Sequence, residues 1–408
     1  MMAVNTATSQ KATYRQVFAE PQFRALWAGQ LVSITGDQFA RIALAVLVYG
    51  RTGSPLLSAA AFAVTPLAMG VSGLCLSWVA DRFPRHLVMI SSDIICLILV
   101  LVMAVPGVPP GVLIALLFAV GMASEPFLDA RSATNRKVLG DRFTLGSAIT
   151  QTTYQVAQLV GFGAGGVIAG VAGVRTALLI DAATFAVSAL LVRYGVKPRP
   201  AADSTARPER PELLAGLRAV FASPLARTAM LLMWLAAFYG VTEGGVIVPL
   251  AHQLGGGAPT AGWLLAAVTG ATAAGLALYA RLAGGKRASS YAAILAMGAC
   301  ALLLLFLLPV SLAGTVIILT ASCLCIGYQP VAVNALITAV PDEHRGQAMG
   351  AYGAGMYFGQ GLLFIVAGAV AQHVHPSLVI AACGGVGAVA AVPLVFAWRK
   401  AAAAPAGR

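Results

Sequence analysis

The chain predicts an all-α, polytopic membrane protein: twelve transmembrane helices in two pseudo-symmetric six-helix bundles. Three observations lead there. Apolar residues make up 59% of the 408 residues and charged ones only 10%, against about a quarter charged in soluble domains. Apolar runs recur near 22–50, 56–80, 87–105, 111–133, 145–171, 176–194, 226–251, 260–282, 289–308, 313–337, 347–371 and 378–398, and each approaches or exceeds the ~20 residues a helix needs to cross the hydrocarbon core. The longest polar segment separates the first six runs from the last six. It predicts an N-terminal bundle over 1–194, a linker over 195–225 and a C-terminal bundle over 226–408.

The formal charge is +12, and its distribution points to topology, not to nucleic acid as a partner. With an even number of spans both termini share one side, and all Lys and Arg except Arg41, Arg51, Arg131 and Arg175 fall in that side's loops, ends or flanks. The positive-inside rule makes that side cytoplasmic; the excess of Arg over Lys points to a high-GC bacterial source, and the expected location is a bacterial inner membrane. Residues 1–20 are polar and the first apolar run is long enough to stay as a span, so no cleavable signal peptide is expected. The six cysteines lie in apolar runs, where small soft side chains pack and disulfides are not expected. Cys323 and Cys325 fit no zinc spacing and the five histidines form no helical metal pair, so no metal or other cofactor is expected.

In the first run Thr35-Gly36-Asp37 sets an acid about 22 Å along a helix rising ~1.5 Å per residue, with Arg41 one turn on. An ionised side chain at the centre of a span costs about 2.5–3.5 kcal/mol on insertion scales, so it needs a reason. For Asp37 two readings stand: a local ion pair with Arg41, or a protonatable acid facing a cavity. Between the second and third runs lies a polar turn, Asp81-Arg82-Phe83-Pro84-Arg85-His86, preceded by Ser77-Trp78-Val79-Ala80. The third run holds Asp93. The fourth holds Glu125 a little past the midplane, then Asp129 and Arg131 near its end.

The fifth run carries Gln151, Gln155 and Gln158 at helical spacing beside Tyr154, a stripe that lipid would reject. Gly161-Phe162-Gly163-Ala164-Gly165-Gly166-Val167-Ile168-Ala169-Gly170 follows. Gly161, Gly163 and Gly166 have the spacing of a dinucleotide-binding turn, but no strand precedes them. Gly161 with Gly165, and Gly166 with Gly170, read instead as small-residue seams between helices. Asp93, and Asp181 in the sixth run, read as structural polar contacts.

In the linker, Pro211 to Phe221 sets Leu213, Leu214, Leu217, Val220 and Phe221 opposite Glu212 and Arg218, an amphipathic helix suited to a membrane surface. The seventh run repeats the first. Val241-Thr242-Glu243 stands where Thr35-Gly36-Asp37 stood, and Pro259 follows Glu243 at nearly the interval by which Pro55 follows Asp37. Glu243 has no basic residue within a turn, and Gly244 and Gly245 leave room around a carboxyl suited to carrying a proton. The loop after the eighth run, Arg281 to Arg287, is a worn copy of the Asp81 turn without its acid; Tyr357 and Gln360 lie one turn apart in the eleventh run.

The Asp81 turn resembles the loop signature of the major facilitator superfamily: small residue, three others, Asp-Arg, one residue, Gly, then basic residues. Ser77 replaces the leading Gly and Pro84 the second. The glycine run is similar to that superfamily's antiporter signature, with Gly166 at the Pro position and Ala169 at a Gly position. With Phe23-Arg24-Ala25-Leu26-Trp27, Asp181-Ala182, Phe185 and Val340-Pro341-Asp342-Glu343-His344-Arg345-Gly346, the layout resembles the third drug:proton antiporter family, which includes macrolide and siderophore exporters. The resemblance implies a cytoplasmic gate of Asp81, Arg82, Arg85 and Asp129. In it Arg85 pairs with Asp129 and Asp81 points at the start of span eleven near Gly346, where a helix N-terminus favours negative charge.

Asp37, Glu243 and Glu125 are the candidate proton carriers. Arg41, Gln151, Tyr154, Gln155, Gln158, Tyr357 and Gln360 are the candidate substrate cavity, wide and sparsely charged; the same polar residues also suit cross-linking of helices. The expected function is secondary active export of a hydrophobic or amphipathic small molecule, a drug or natural product. It would run by proton antiport with alternating access, in a monomer within the lipid bilayer and with the proton gradient as energy source. Proton-coupled uptake and a lipid-handling or regulatory role on the same fold are the alternatives. No Gly-x-x-x-x-Gly-Lys-Ser/Thr loop serves an ATP-driven pump, and no enzymatic role is expected.

Overall fold

Proline and glycine punctuate the chain into its helices. The computed structural model describes residues 13–76, 79–198, 213–282 and 286–403, and among them only helices and their connections occur. α1 (Pro21–Thr52) opens on a proline, whose missing N–H is harmless at a first helical position, and ends at Gly53 with a left-handed φ of 61°. α2 (Pro55–Cys75) starts at once, the Ser54 hydroxyl accepting from the Leu57 N–H at 3.3 Å. α3 (Arg85–Met103), α4 (Pro110–Leu139), α5 (Phe143–Val171) and α6 (Val174–Gly195) complete the first half.

The second half is less regular. α7 consists of Pro224–Trp234, Ala236–Gly244 and Ile247–Gln253. A proline ring clashes with the carbonyl four residues back. For Pro249 that carbonyl belongs to Gly245, where the helix is interrupted. α8 is Ala258–Leu282, and α9 is Lys286–Leu302 with a 3-10 extension, Leu303–Leu307. α10 runs Leu312–Leu324, narrows to a 3-10 turn at Cys325–Tyr328 and resumes as Gln329–Ala339. Pro330 explains the turn in the same way, through the carbonyl of Ile326. α11 (Arg345–Val370) and α12 (Pro376–Ala403) follow.

Among the described residues ten apolar helical stretches are long enough to cross a membrane, one of them, Pro110–Val171, covering both α4 and α5; Tyr291–Leu307 is a shorter apolar helix. The outer faces suit lipid: Ile94, Ile98 and Leu101 of α3 are exposed. Two boundaries differ from the hydropathy reading. α4 continues to Leu139, because backbone hydrogen bonds persist where Thr134 to Lys137 end the apolar run, so Arg131 sits inside the helix. α2 stops at Cys75, and Val79–Arg82 is a separate short helix.

Within the first half α1 packs on α5 and α6, and α3 on α4 and α6; in the second, α9 packs on α12 and α8 on α10. The halves meet along α2 with α11 and α5 with α8. At the end remote from the Asp81 turn they are shut. The rings of Tyr49 and His252 meet edge to face at 5.6 Å, and Gln372 Nε2 donates to Ser54 Oγ at 3.0 Å. At the Asp81 end, a Cβ on Gly73, Gly346 or Gly350 would meet nothing among the described residues within 4 Å.

The helix Leu213–Ala222 packs on the start of α11. Its Val220 is fully buried, so part of the apolar face read from the sequence as membrane-facing is turned to protein. Pro211 and Glu212, and the side chains of Leu213 and Leu214, lie outside the described residues, as do 283–285 of the loop after α8.

Candidate functional site

Between the two halves lies a cavity of about 350 Å³. α1 contributes Arg41; α5 contributes Gln151, Tyr154, Gln155 and Gln158; α11 contributes Tyr357 and Gln360. The glutamines of α5 face one way because residues three and four apart share a helix face, and Gln158 Nε2 donates to the Tyr154 hydroxyl at 3.1 Å. From α7 come Tyr239 and Glu243, and from α10 Gln329. Gln329 Nε2 donates to Tyr239 Oη at 2.9 Å, and Tyr328 Oη, 3.5 Å from Tyr239 Oη, donates to the Leu232 carbonyl at 2.8 Å. Arg41 and Glu243, on opposite halves, are the charged groups among the described lining residues. Phe62, Phe162 and Phe364 supply apolar wall.

A second space of about 110 Å³ lies inside the first half. Asp37 and Arg41 of α1, Asp93 of α3, Arg131 of α4, Tyr154 of α5 and Asp181 of α6 face it. Arg41, Thr65, Met69 and Tyr154 line both spaces and form the wall between them. Asp37 therefore looks into this inner chamber, not into the central cavity. Among the described residues it forms no direct ion pair with Arg41, although the two interact electrostatically, as do Arg41 and Glu243. Asp181 Oδ1 accepts from Thr184 Oγ1 at 3.3 Å. Gly36 makes the close approach possible: a Cβ there would meet Asp181 Oδ1 at 2.6 Å. Asp93 and Asp181, read from the sequence as separate polar contacts, thus share one chamber with Asp37.

Glu125 is half-buried and lines neither space; its Oε2 has no hydrogen-bond partner among the described residues. It interacts electrostatically with Asp129, Arg131 and Tyr357. At the Asp81 end, Arg85 Nη1 donates to the Ala133 carbonyl at 3.5 Å, one turn beyond the half-buried Asp129 on α4. Arg82 is exposed. Ser77, Trp78 and the side chain of Asp81 lie outside the described residues.

The glycines of α5 divide between two neighbours. A Cβ on Gly161 would meet Gln38 Cβ at 2.6 Å and one on Gly165 would meet Phe39 Cα at 2.9 Å, both on α1. On Gly166 and Gly170 it would meet Gly262 Cα at 2.8 Å and Pro259 Cδ at 2.9 Å, both on α8. One seam holds α5 to its own half and the other to the opposite half.

Sequence reasoning missed Tyr239 and Gln329. Both carried a signal: Tyr239 precedes Glu243 by one helical turn, and Gln329 is polar within an apolar run.

A family model described as Major Facilitator Superfamily matches residues 26–328 and again 244–408. No curated protein matches the chain. Among solved structures, the chain is similar to a POT family transporter in complex with 5-aminolevulinic acid, at 11% identity, TM-score 0.74, with 96% of this chain and 98% of the other covered. It is similar to the nucleoside transporter NupG at 15% identity, TM-score 0.71, covering 93% and 100%. It is also similar to a bacterial homolog of the human lysosomal transporter Spinster, in an inward-facing, unoccupied conformation, at 14% identity, TM-score 0.67, covering 94% and 96%.

Proposed function

The chain belongs to the Major Facilitator Superfamily, and on that premise we propose that it exports a hydrophobic or amphipathic small molecule in exchange for protons, as the third drug:proton antiporter family does. The observation that carries this reading is the wall of the central cavity: phenylalanines, glutamines and tyrosines, with one cation and one acid facing each other across the halves. Such a wall suits an apolar body with a few polar groups. The Asp81 end is cytoplasmic in this reading, and the monomer's two halves, 1–194 and 226–408, rock about the cavity within a bacterial inner membrane. Glu243 and Asp37 carry the protons, with Glu125 as a third candidate. Asp81, Arg82, Arg85 and Asp129 latch the cytoplasmic side when the halves close there.

Everted vesicles energised by a proton gradient should accumulate ethidium. Glu243→Gln and Asp37→Asn should each abolish that accumulation while leaving ethidium binding to the purified protein intact. Normal accumulation in both variants removes the proton assignment, and dye loss on energisation reverses the direction to uptake.

A further inference from the structure

We propose that the chamber inside the first half is a proton-holding site of its own, in which Asp93 and Asp181 share a proton with Asp37 and exchange it with the central cavity past Arg41 and Tyr154. This rests on the reading that protons drive the carrier, and it adds residues that the sequence assigns only to structure. Three carboxyls from α1, α3 and α6 face one space. Asp93 is 3% and Asp181 1% exposed. Each interacts electrostatically with Asp37.

The charge balance of the chamber is short by one. The cations that face it are Arg41 and Arg131, and its other titratable groups are Cys96 of α3 and Tyr154 of α5; α2 adds only the neutral Thr65 and Met69. Among the described residues none of the three carboxyls makes a direct ion pair. Three carboxylates face two guanidinium groups, of which Arg41 also interacts with Glu243 and Arg131 with Glu125, so at least one negative charge is left uncompensated, and neighbouring buried carboxyls cannot all ionise. One bound proton neutralises the set.

One atom independently asks for such an occupant. Gln38 Oε1 belongs to a side chain 2% exposed that faces the chamber and has no hydrogen-bond partner among the described residues, while Asp93, 3% exposed, leans on the Ser188 hydroxyl. A buried acceptor left empty is costly. A protonated carboxyl, or a water held by one, supplies the missing donor. A metal ion fits less well, since no three His, Cys, Asp or Glu among the described residues are placed to hold one.

Proton entry needs no other reactant. A hydronium ion in the central cavity passes its extra proton through waters of the chamber to a carboxylate oxygen, an O–H bond forms on the acid as one breaks on the hydronium, which remains as water, and release is the reverse. Arg41 in the dividing wall repels organic cations from the chamber, while a proton passes along water and the Tyr154 hydroxyl. The chamber thus counts protons separately from Glu243.

Infrared spectroscopy on the full-length protein in lipid nanodiscs tests this without any substrate. In mildly alkaline buffer the wild type should show a carbonyl band of protonated carboxyl that survives Glu243→Gln. Asp93→Asn or Asp181→Asn should remove about one carboxyl's share of it, and replacing choline by sodium at constant ionic strength should leave it unchanged. A band untouched by both substitutions overturns the proposal, and so does one that sodium abolishes. Should the Asn variants not purify folded, Asp93→Glu and Asp181→Glu keep the acid and change its environment: a shifted band upholds the proposal and an unshifted one overturns it. Because the band is read in the absence of transport, its loss and a failure of ethidium export are separate results.

Discussion

Each half of the molecule opens with a helix bearing an acid midway, and the two acids live in different compartments. Asp37 sits on the unbroken α1 and faces a chamber within its own bundle, beside Asp93 and Asp181. Glu243 sits at the end of a helical piece of the interrupted α7 and faces the cavity between the halves. The neighbours decide the difference. Gly36 lets α6 bring its carboxyl against α1, whereas the break at Gly245 ahead of Pro249 leaves Glu243 at a helix end. Internal repetition sets how far along a helix an acid lies, and the adjacent glycine and proline set which space it enters.

Arg41 joins the two compartments, and its removal carries the largest expected effect. Arg41→Ala leaves Asp37 and Glu243 without the guanidinium both interact with, and stranding buried charge costs several kcal/mol. Proton-driven ethidium accumulation should fall to background, with Arg41→Lys recovering part of it. Wild-type accumulation in Arg41→Ala would show the two compartments to be electrically independent.

Overpacking each acid's neighbouring glycine should separate folding from rocking. Gly36→Leu drives a side chain into Asp181 within one bundle, and overpacking of this kind costs about 1–3 kcal/mol. The melting temperature in detergent should drop. Gly244→Leu meets the movable ring edge of Phe364 in its own half, 2.6 Å from a Cβ, and Phe62 across the halves, whose Cβ would lie 2.8 Å away. The halves can yield by rotating, so the population open at that end should rise roughly 5- to 150-fold for the same 1–3 kcal/mol, with little change in melting. Spin labels on the Ser54 and Gln372 ends read the shift; equal melting losses in both variants would erase the distinction.

A smaller effect is expected at the gate. Arg85→Ala removes the donor to the Ala133 carbonyl, and Asp81→Asn removes the acid of the turn. Both should lengthen the label distance between the Asp81 ends of α2 and α11 and slow turnover without weakening ethidium binding. An unchanged distance distribution makes the turn a topological anchor.

The smallest change is Tyr239→Phe. It removes the acceptor for Gln329 Nε2, a bond worth about 1 kcal/mol, and should weaken ethidium binding about 5-fold by titration. Tyr154→Phe, which faces both compartments, should alter proton exchange as well as binding.

Much of the fold was legible along the chain. Apolar runs of spanning length gave the helices, and Pro55 stands at the first position of α2, where the Ser54 cap explains the start. The end of α4 was misjudged, because hydropathy follows the membrane and the helix does not stop where the hydrocarbon does. At the site, the glutamines of α5 were visible as a polar stripe that a lipid face would reject. The chamber was not visible, since Asp37, Asp93 and Asp181 come from helices far apart in sequence and each alone resembles an ordinary buried polar contact.

By itself the sequence determined what repeats locally: which stretches are apolar enough to span, where helices start and break, and which residues share a face. Those follow from hydropathy and from hydrogen bonds between residues four apart, both written in consecutive residues. Only the tertiary structure decided how each helix is rotated and what it meets. That rotation puts Asp37 behind Arg41, sets Gly166 against Gly262, and gathers three acids from α1, α3 and α6 around one small space. Such placements depend on close packing between distant segments, where a single Cβ at Gly36 or Gly166 would change the answer.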